Sequence, residues 1–406
     1  MMSTRAKAVI LTISLALILF MIAGGLGVYA SSTGKSDGAY KELGVYSEVL
    51  SRIRSEYVEE PNMPAVTDGA LHGLLESLDS NSSYLSPEEY KKYKARKGDG
   101  KADIGATISK RFGYAAVVSI IPGGPADKAT LANGDILEAI EGKSTREMSL
   151  AEIHNMLAGT PGSNITFSVV RARKAEPQKL TVTRDVVNVP SANAKTLETG
   201  IGYIKIDALN KGKAQEVAAK IKDLQHSGAK KLILDLRNVA EGDAAEGIGV
   251  ANLFLNHGLI TYLAGQKYAR ETYNADPSKA ITTLPVVVLV NRSTYGPAEI
   301  VAAAILDNAR GDVLGDKTFG NGSVQKVIEV PDGSALILSI AKYYSPSGKS
   351  IQDTAVIPNI LVASEQDGLV SEEEEAAPES EQPNKPETKK EDEQLKRAVE
   401  VLKNHA

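Results

Sequence analysis

Leu232-Ile233-Leu234-Asp235-Leu236 and Val286-Val287-Val288-Leu289-Val290 are two short, nearly unbroken apolar runs. Runs of this kind predict strands buried on both faces, as in a parallel sheet covered by helices. The flanking sequence agrees. Gly202 to Ile206 reads as a further strand, and Lys213 to His226 as a helix with Val217, Ile221 and Leu224 on its inner face. Pro297 opens a helix over Ala298 to Asn308, at the one helical position where its missing N–H costs nothing. Strands alternating with helices predict an α/β domain over residues 188–363.

Upstream the pattern changes. Ile104 to Ile108, Ala115 to Ile121, Asp135 to Ile140, Ile165 to Val170 and Leu180 to Val186 read as short strands, interrupted by one helix from Ser149 to Ala158. Gly123-Gly124-Pro125 and Asn133-Gly134-Asp135 supply turn chemistry between them. A small, mostly β domain is expected over 100–187. Residues 39–99 read as helical, with Val45, Val49, Ile53 and Tyr57 at helical spacing, a second helix over Val66 to Leu78, and a third opening at Pro87 behind Ser86. The chain is thus expected to be an α+β multidomain protein.

The termini differ in kind from the middle. Arg5 and Lys7 precede an apolar run from Ala8 to about Ala30, long enough to cross the ~30 Å hydrocarbon core as a helix. Basic residues before such a run favour a cytoplasmic N-terminus with the remainder exported. Residues 1–38 are therefore expected to be a membrane anchor, or else a cleaved signal that leaves the protein secreted. Residues 364–390 are acidic and proline-rich, with Glu372 to Glu375 in one run, and read as a disordered linker. Residues 391–406 follow as a short amphipathic helix carrying Leu395, Val399 and Leu402. This linker and helix are expected to be a solubilising tail, the alternatives being that the helix folds back on the core or reaches a partner subunit.

Composition excludes several chemistries. Among 406 residues there is no cysteine, so disulfides, thiol catalysis and cysteine-ligated metals are out. The formal net charge of −5 lacks the basic footprint of a nucleic-acid binder. The five histidines are scattered, and no zinc motif or phosphate-cradling glycine loop occurs. No metal and no cofactor are expected.

Five motifs then stand in order. They are Leu78-Asp79-Ser80-Asn81-Ser82-Ser83-Tyr84-Leu85, Leu232 to Asn238, Val288-Leu289-Val290-Asn291 with Glu299-Ile300, Gly315 to Gln325, and Tyr343 to Gln352. As a set they resemble the carboxy-terminal processing proteases over about Tyr40 to Pro358, and the final helix is similar to that family's ending. The resemblance implies an inserted PDZ domain and an α/β core of the ClpP/crotonase type. It also implies a serine–lysine dyad, in which a neutral lysine takes the proton of the attacking serine.

Carried over residue by residue, the nucleophile falls on Gly296 and the base on Asn321, at the family's spacing of 25 residues. Glycine has no side chain with which to attack, and an amide is no general base. Pro297 removes a backbone N–H next to the nucleophile position. Val239-Ala240-Glu241-Gly242 stands where the family has an oxyanion-stabilising turn, and Glu241 would oppose an oxyanion there. Gln325 matches a family glutamine. Ser293 and Lys317 are the nearest substitutes for the dyad, and Tyr295 is a residue that could fill the vacated site.

In the PDZ domain the resemblance places the carboxylate-binding loop at Ile104-Gly105-Ala106, with Ile108, Ile153 and Leu157 toward a side-chain pocket. Asp103 beside that loop disfavours a carboxylate. The expected protein is a membrane-anchored, periplasmic-side homologue without catalytic activity that binds protein or peptide C-termini as a scaffold or regulator. A homo-oligomer, or association with an active relative, would fit that role. The competing expectations are an active serine-type endopeptidase using relocated residues, and a structural envelope protein that binds no peptide.

Overall fold

The computed structural model describes residues 37–99, 102–111, 113–171, 176–198, 200–352, 354–363 and 392–404. The chain divides into two compact units, Met1–Ala70 and Leu71–Ala406. In the first, helix α1 (Asp37–Glu56) presents Leu43, Val45, Tyr46 and Val49 at its surface. Helix α2 (Met63–Glu76) begins in this unit. The apolar run from Ala8 to Ala30 lies outside the described residues. Among those described, no helix is long and apolar enough to cross a membrane.

The second unit opens with β1 (Ser83–Leu85) and α3 (Pro87–Asp99). An antiparallel sheet follows, made of β2 (Ala106–Arg111), β3 (Tyr114–Ile120), β4 (Ile136–Ile140), β5 (Lys143–Ser144), β6 (Asn164–Val170) and β7 (Gln178–Thr183). Its order is β2-β3-β4-β6-β7, with β5 on β4. Two helices accompany it, α4 (Pro125–Lys128) and α5 (Leu150–Leu157). Ser149 and Glu152 close a reciprocal capping box at the start of α5, which satisfies two of the helix's orphan N–H groups. The last strand stops at Thr183 instead of running on to Val186 as its sequence suggests. Past Thr183 the pairing changes: Arg184 N donates to Ser163 O and its carbonyl accepts from Gly162 N, both at 2.8 Å, and Asp185 then bridges to Asp103, while the Arg184 guanidinium donates to the Leu157, Met156 and Asn164 carbonyls.

The α/β core is built on a six-stranded sheet. Its strands are β8 (Asn193–Glu198), β9 (Ile201–Lys205), β10 (Lys231–Asp235), β13 (Val286–Val290), β14 (Asp312–Gly315) and β17 (Ile360–Leu361). Between them run α6 (Lys213–His226), α7 (Ala244–Phe254), β11 (Leu259–Ala264), β12 (Glu271–Asn274), α8 (Pro297–Asp307), β15 (Ser323–Glu329) and β16 (Ala335–Tyr344). The sheet order is β17-β14-β13-β10-β9-β8, parallel except for β8. A smaller antiparallel sheet joins β1-β16-β11-β12, with β15 also on β16.

Alternation along the strands explains the layers. Leu232, Leu234, Val286, Val288 and Val290 pack against α6, α7 and α8. Ile233, Val287, Leu289 and Leu314 point the other way, onto Ala398, Val401 and Leu402 of the last helix, α9 (Glu393–Asn404). The C-terminal helix is thus not a loose solubilising tail but the second cover of the central sheet. Arg237 ties it down, pairing at once with Asp235 and, at 2.8 Å, with Asp392. Burial works against the Asp235 carboxylate, but Lys205, Arg237 and the Tyr203 hydroxyl outweigh it and hold its pKa at about 2.

Candidate functional site

Strand β13 delivers a tight loop to the N-terminus of α8. Thr294 holds the loop: its hydroxyl donates to Leu236 O at 2.9 Å and accepts from Asn291 N at 3.0 Å. Tyr295 N donates to Val239 O. The chain then turns at Gly296, with φ +57 and ψ −114. That region is costly for any residue with a side chain and is characteristic of functional elbows. A Cβ at Gly296 would stand 4.0 Å from Asn321 Nδ2. Positions 296 and 321, far apart in sequence, therefore face each other across one gap.

Glu299, in the first turn of α8, fixes that relation. Its fully buried carboxyl accepts from Gly296 N, Thr318 Oγ1, Gly320 N and Asn321 N, at 2.9, 2.7 and 2.8 Å for the three backbone groups. Burial pushes its pKa up to about 7, against the pull of those donors. The native state therefore keeps a proton that the unfolded chain releases above about 4.5. The stability carried by that proton is complete below pH 4.5 and is lost as pH rises through about 7. Urea unfolding at pH 5 and pH 8 should show the wild type losing roughly 2–3 kcal/mol more than Glu299→Gln between the two. Identical pH slopes for the two proteins would contradict this.

Asn321 is oriented from its other side by Asn81. Asn81 Nδ2 donates to Asn321 Oδ1 at 3.1 Å and to Ser323 Oγ at 2.9 Å. Asp79 holds that loop, accepting from Asn81 N, Ser82 N and Ser339 Oγ. The Asn321 amide N–H₂ is thereby left toward Gly296. Sequence reasoning marks 78–85 only as a motif and misses that Asn81 reaches position 321. Gln325, exposed on β15, donates to Ser323 and Ser339.

The substitute residues do not meet. Ser293 is fully buried and its hydroxyl has no hydrogen-bond partner, while Lys317 is exposed. Tyr295 leans on Phe319, with ring centroids 5.1 Å apart, and burial raises its pKa. Two clefts meet at Tyr295, Asn321 and Gln325. One, of about 380 Å³, runs past Gly296, Pro297, Ala240 and Gly242. The other, of about 720 Å³, reaches Asp103, His154 and Val187 of the inserted domain. No cluster of three or more metal-ligating side chains exists among the described residues.

The turn after β10 joins the inserted domain to this site. Asn238 adopts a left-handed φ of +63. Its Oδ1 accepts from Asn291 and Asn133, and its carbonyl accepts from Ser119 Oγ at 2.5 Å. Glu241 is exposed, but the protein packed around its carboxyl, and after it the Asp103 carboxylate, raise its pKa.

The profile of Peptidase family S41 matches residues 200–362, and that of the PDZ domain residues 117–171. Over 357 residues the chain is 31% identical to the carboxy-terminal-processing protease of Bartonella bacilliformis, covering 85% of this chain and 82% of that one. The chain belongs to the carboxy-terminal processing protease family. A further family member, the carboxy-terminal processing protease CtpA of Bacillus subtilis, is 31% identical over 349 residues, covering 85% of this chain and 73% of that one. Among solved structures, a photosystem II D1 C-terminal processing protease superposes with a TM-score of 0.65 at 27% identity, covering 77% of this chain and 86% of that one.

In this carboxy-terminal processing protease homologue, Ile104, Ile108, Ile153 and Leu157 are all packed in the closed core of the PDZ domain. The walls of the 720 Å³ cleft come instead from Leu150, Ala151, His154, Asn155 and Ala158 on the other face of α5. His154 Nε2–H donates to the Ile108 carbonyl at 3.2 Å, linking α5 to the edge strand β2.

Proposed function

We propose that this family member has given up hydrolysis and kept polypeptide binding. It acts outside the cytoplasm, tethered by its N-terminal apolar run, as a scaffold or regulator of C-terminal processing. The observation that carries this reading is the pairing across the elbow. The position from which a side chain would face residue 321 is a glycine, and residue 321 is an asparagine whose carboxamide is tied to Asn81. A glycine cannot form an acyl intermediate, and an amide cannot take a proton at neutral pH. Pro297 adds to the case by lacking an N–H beside Gly296, and Glu241 by standing in the turn where the resemblance expects oxyanion stabilisation. The cleft past Gly296, the PDZ domain and the family's substrate class support binding of peptide C-termini.

The test is incubation of the purified full chain with an unstructured protein, followed by mass spectrometry of the products. No new termini are expected above the buffer control over a day. Cleavage that disappears in Ser293→Ala or Lys317→Ala would overturn the reading in favour of a relocated dyad.

A further inference from the structure

The PDZ loop already holds a carboxylate of its own. Asp103 Oδ1 accepts from Ile104 N at 2.7 Å and from Gly105 N at 3.3 Å. These are N–H groups of the loop at which a PDZ domain receives a peptide's terminal carboxylate. The arrangement is fixed by the backbone. Asp103 and Asp185 pair through both of their peptide groups, at 3.0 and 3.2 Å. The loop carbonyls are tied as well, Ile104 O to Ala126 N and Gly105 O to Ile121 N. Gly105 has φ +71, and a Cβ there would press on Val187 and Pro125. The loop therefore cannot easily swing its donors elsewhere.

We propose that Asp103 is a built-in competitor for the peptide carboxylate, so that a free C-terminus gains nothing at this loop unless Asp103 is displaced. A second carboxylate at the loop meets a like charge at hydrogen-bond range, and charge-assisted bonds of this kind are among the stronger ones to replace. Glu241, from the turn after β10, adds a further negative group within electrostatic reach of Asp103. Asp103 also lines the same 720 Å³ cleft as Tyr295 and Asn321. Recognition in that cleft is left to its amide side chains, Asn81, Asn155, Asn321 and Gln325, which read a peptide's backbone and side chains and not its end. This inference rests on the polypeptide binding proposed above and departs from it on one point, the free C-terminus, by naming Asp103 as the residue that removes end-selectivity.

The test uses the full chain and a pool of decapeptides randomised at the last four positions, made both as free acids and as carboxamides. Capture by the immobilised protein is read by mass spectrometry. The wild type is expected to enrich acids and amides within about twofold of each other, and Asp103→Ala to enrich acids over amides by about tenfold or more. No capture by the wild type, together with acid-selective capture by the variant, supports the proposal equally. A wild type that itself prefers acids about tenfold overturns the proposal without reference to any variant. A variant with no acid preference, or no capture by either protein, also overturns it. Peptide cleavage is scored from the same spectra. Cleavage would sink the non-hydrolytic reading while leaving the end-selectivity result to stand by itself.

Discussion

Gly296→Ser and Asn321→Lys together are expected to give a slow protease, with casein turnover at least ~10²-fold above the wild type. The geometry asks for little else. A Cβ at 296 meets nothing closer than 4.0 Å, and what it meets is residue 321. Glu299 already fixes the backbone at both positions. Partial burial beside Tyr295 and Phe319 would favour the neutral lysine that the dyad needs. Each single variant should remain inert, because nucleophile and base act as a unit. The introduced serine would have to adopt φ near +57, so the double variant should also be less stable by about 1–3 kcal/mol. Its activity should stay well below that of an intact enzyme, since a missing oxyanion donor costs roughly 10²–10³ in rate. Adding Glu241→Gly should raise it. A folded double variant with no activity would show that 296 and 321 are not the chemical positions.

Removing α9 is expected to unfold the core rather than to trim a tail. Ala398 and Leu402 are completely buried, and they cover Ile233, Val287 and Leu289 on one face of the central sheet. Truncation before Asp392 also removes one of the two carboxylate partners of Arg237 and leaves it with Asp235 alone. Leu402→Ala alone should cost about 2–5 kcal/mol in urea unfolding. The full truncation should give insoluble protein. Unchanged stability for both would mean that the helix is dispensable, as a solubilising tail would be.

That helix also shows where the sequence stops being legible. Leu395, Val399 and Leu402 reveal an amphipathic helix, but periodicity cannot say what covers its apolar side. The two-faced burial of Val286 to Val290 already required a second cover, and α9 is that cover. Local patterns placed α6 and α8 nearly to the residue. They missed α7, whose Ala- and Gly-rich stretch Ala244 to Phe254 lacks a clear apolar stripe, and they missed the small sheet, whose strands pair across long separations. At the site, the 25-residue spacing of Gly296 and Asn321 was readable. The roles of Asn81 and Glu299 were not. Each acts through side-chain hydrogen bonds to a segment remote in sequence, 240 residues away for Asn81, and no periodicity encodes such a partner. The resemblance points to Ile108, Ile153 and Leu157 for the PDZ pocket, but a buried apolar residue reads the same in sequence whether it lines a pocket or fills the core, where these three pack.

Loss of the nucleophile is read most directly by labelling the purified full chain with a serine-reactive fluorophosphonate, followed by intact mass, beside the Gly296→Ser, Asn321→Lys variant. No adduct is expected on the wild type, and one adduct, on the introduced serine, is expected on the variant. A single adduct on the wild type that is lost in Ser293→Ala would contradict the loss of the dyad chemistry.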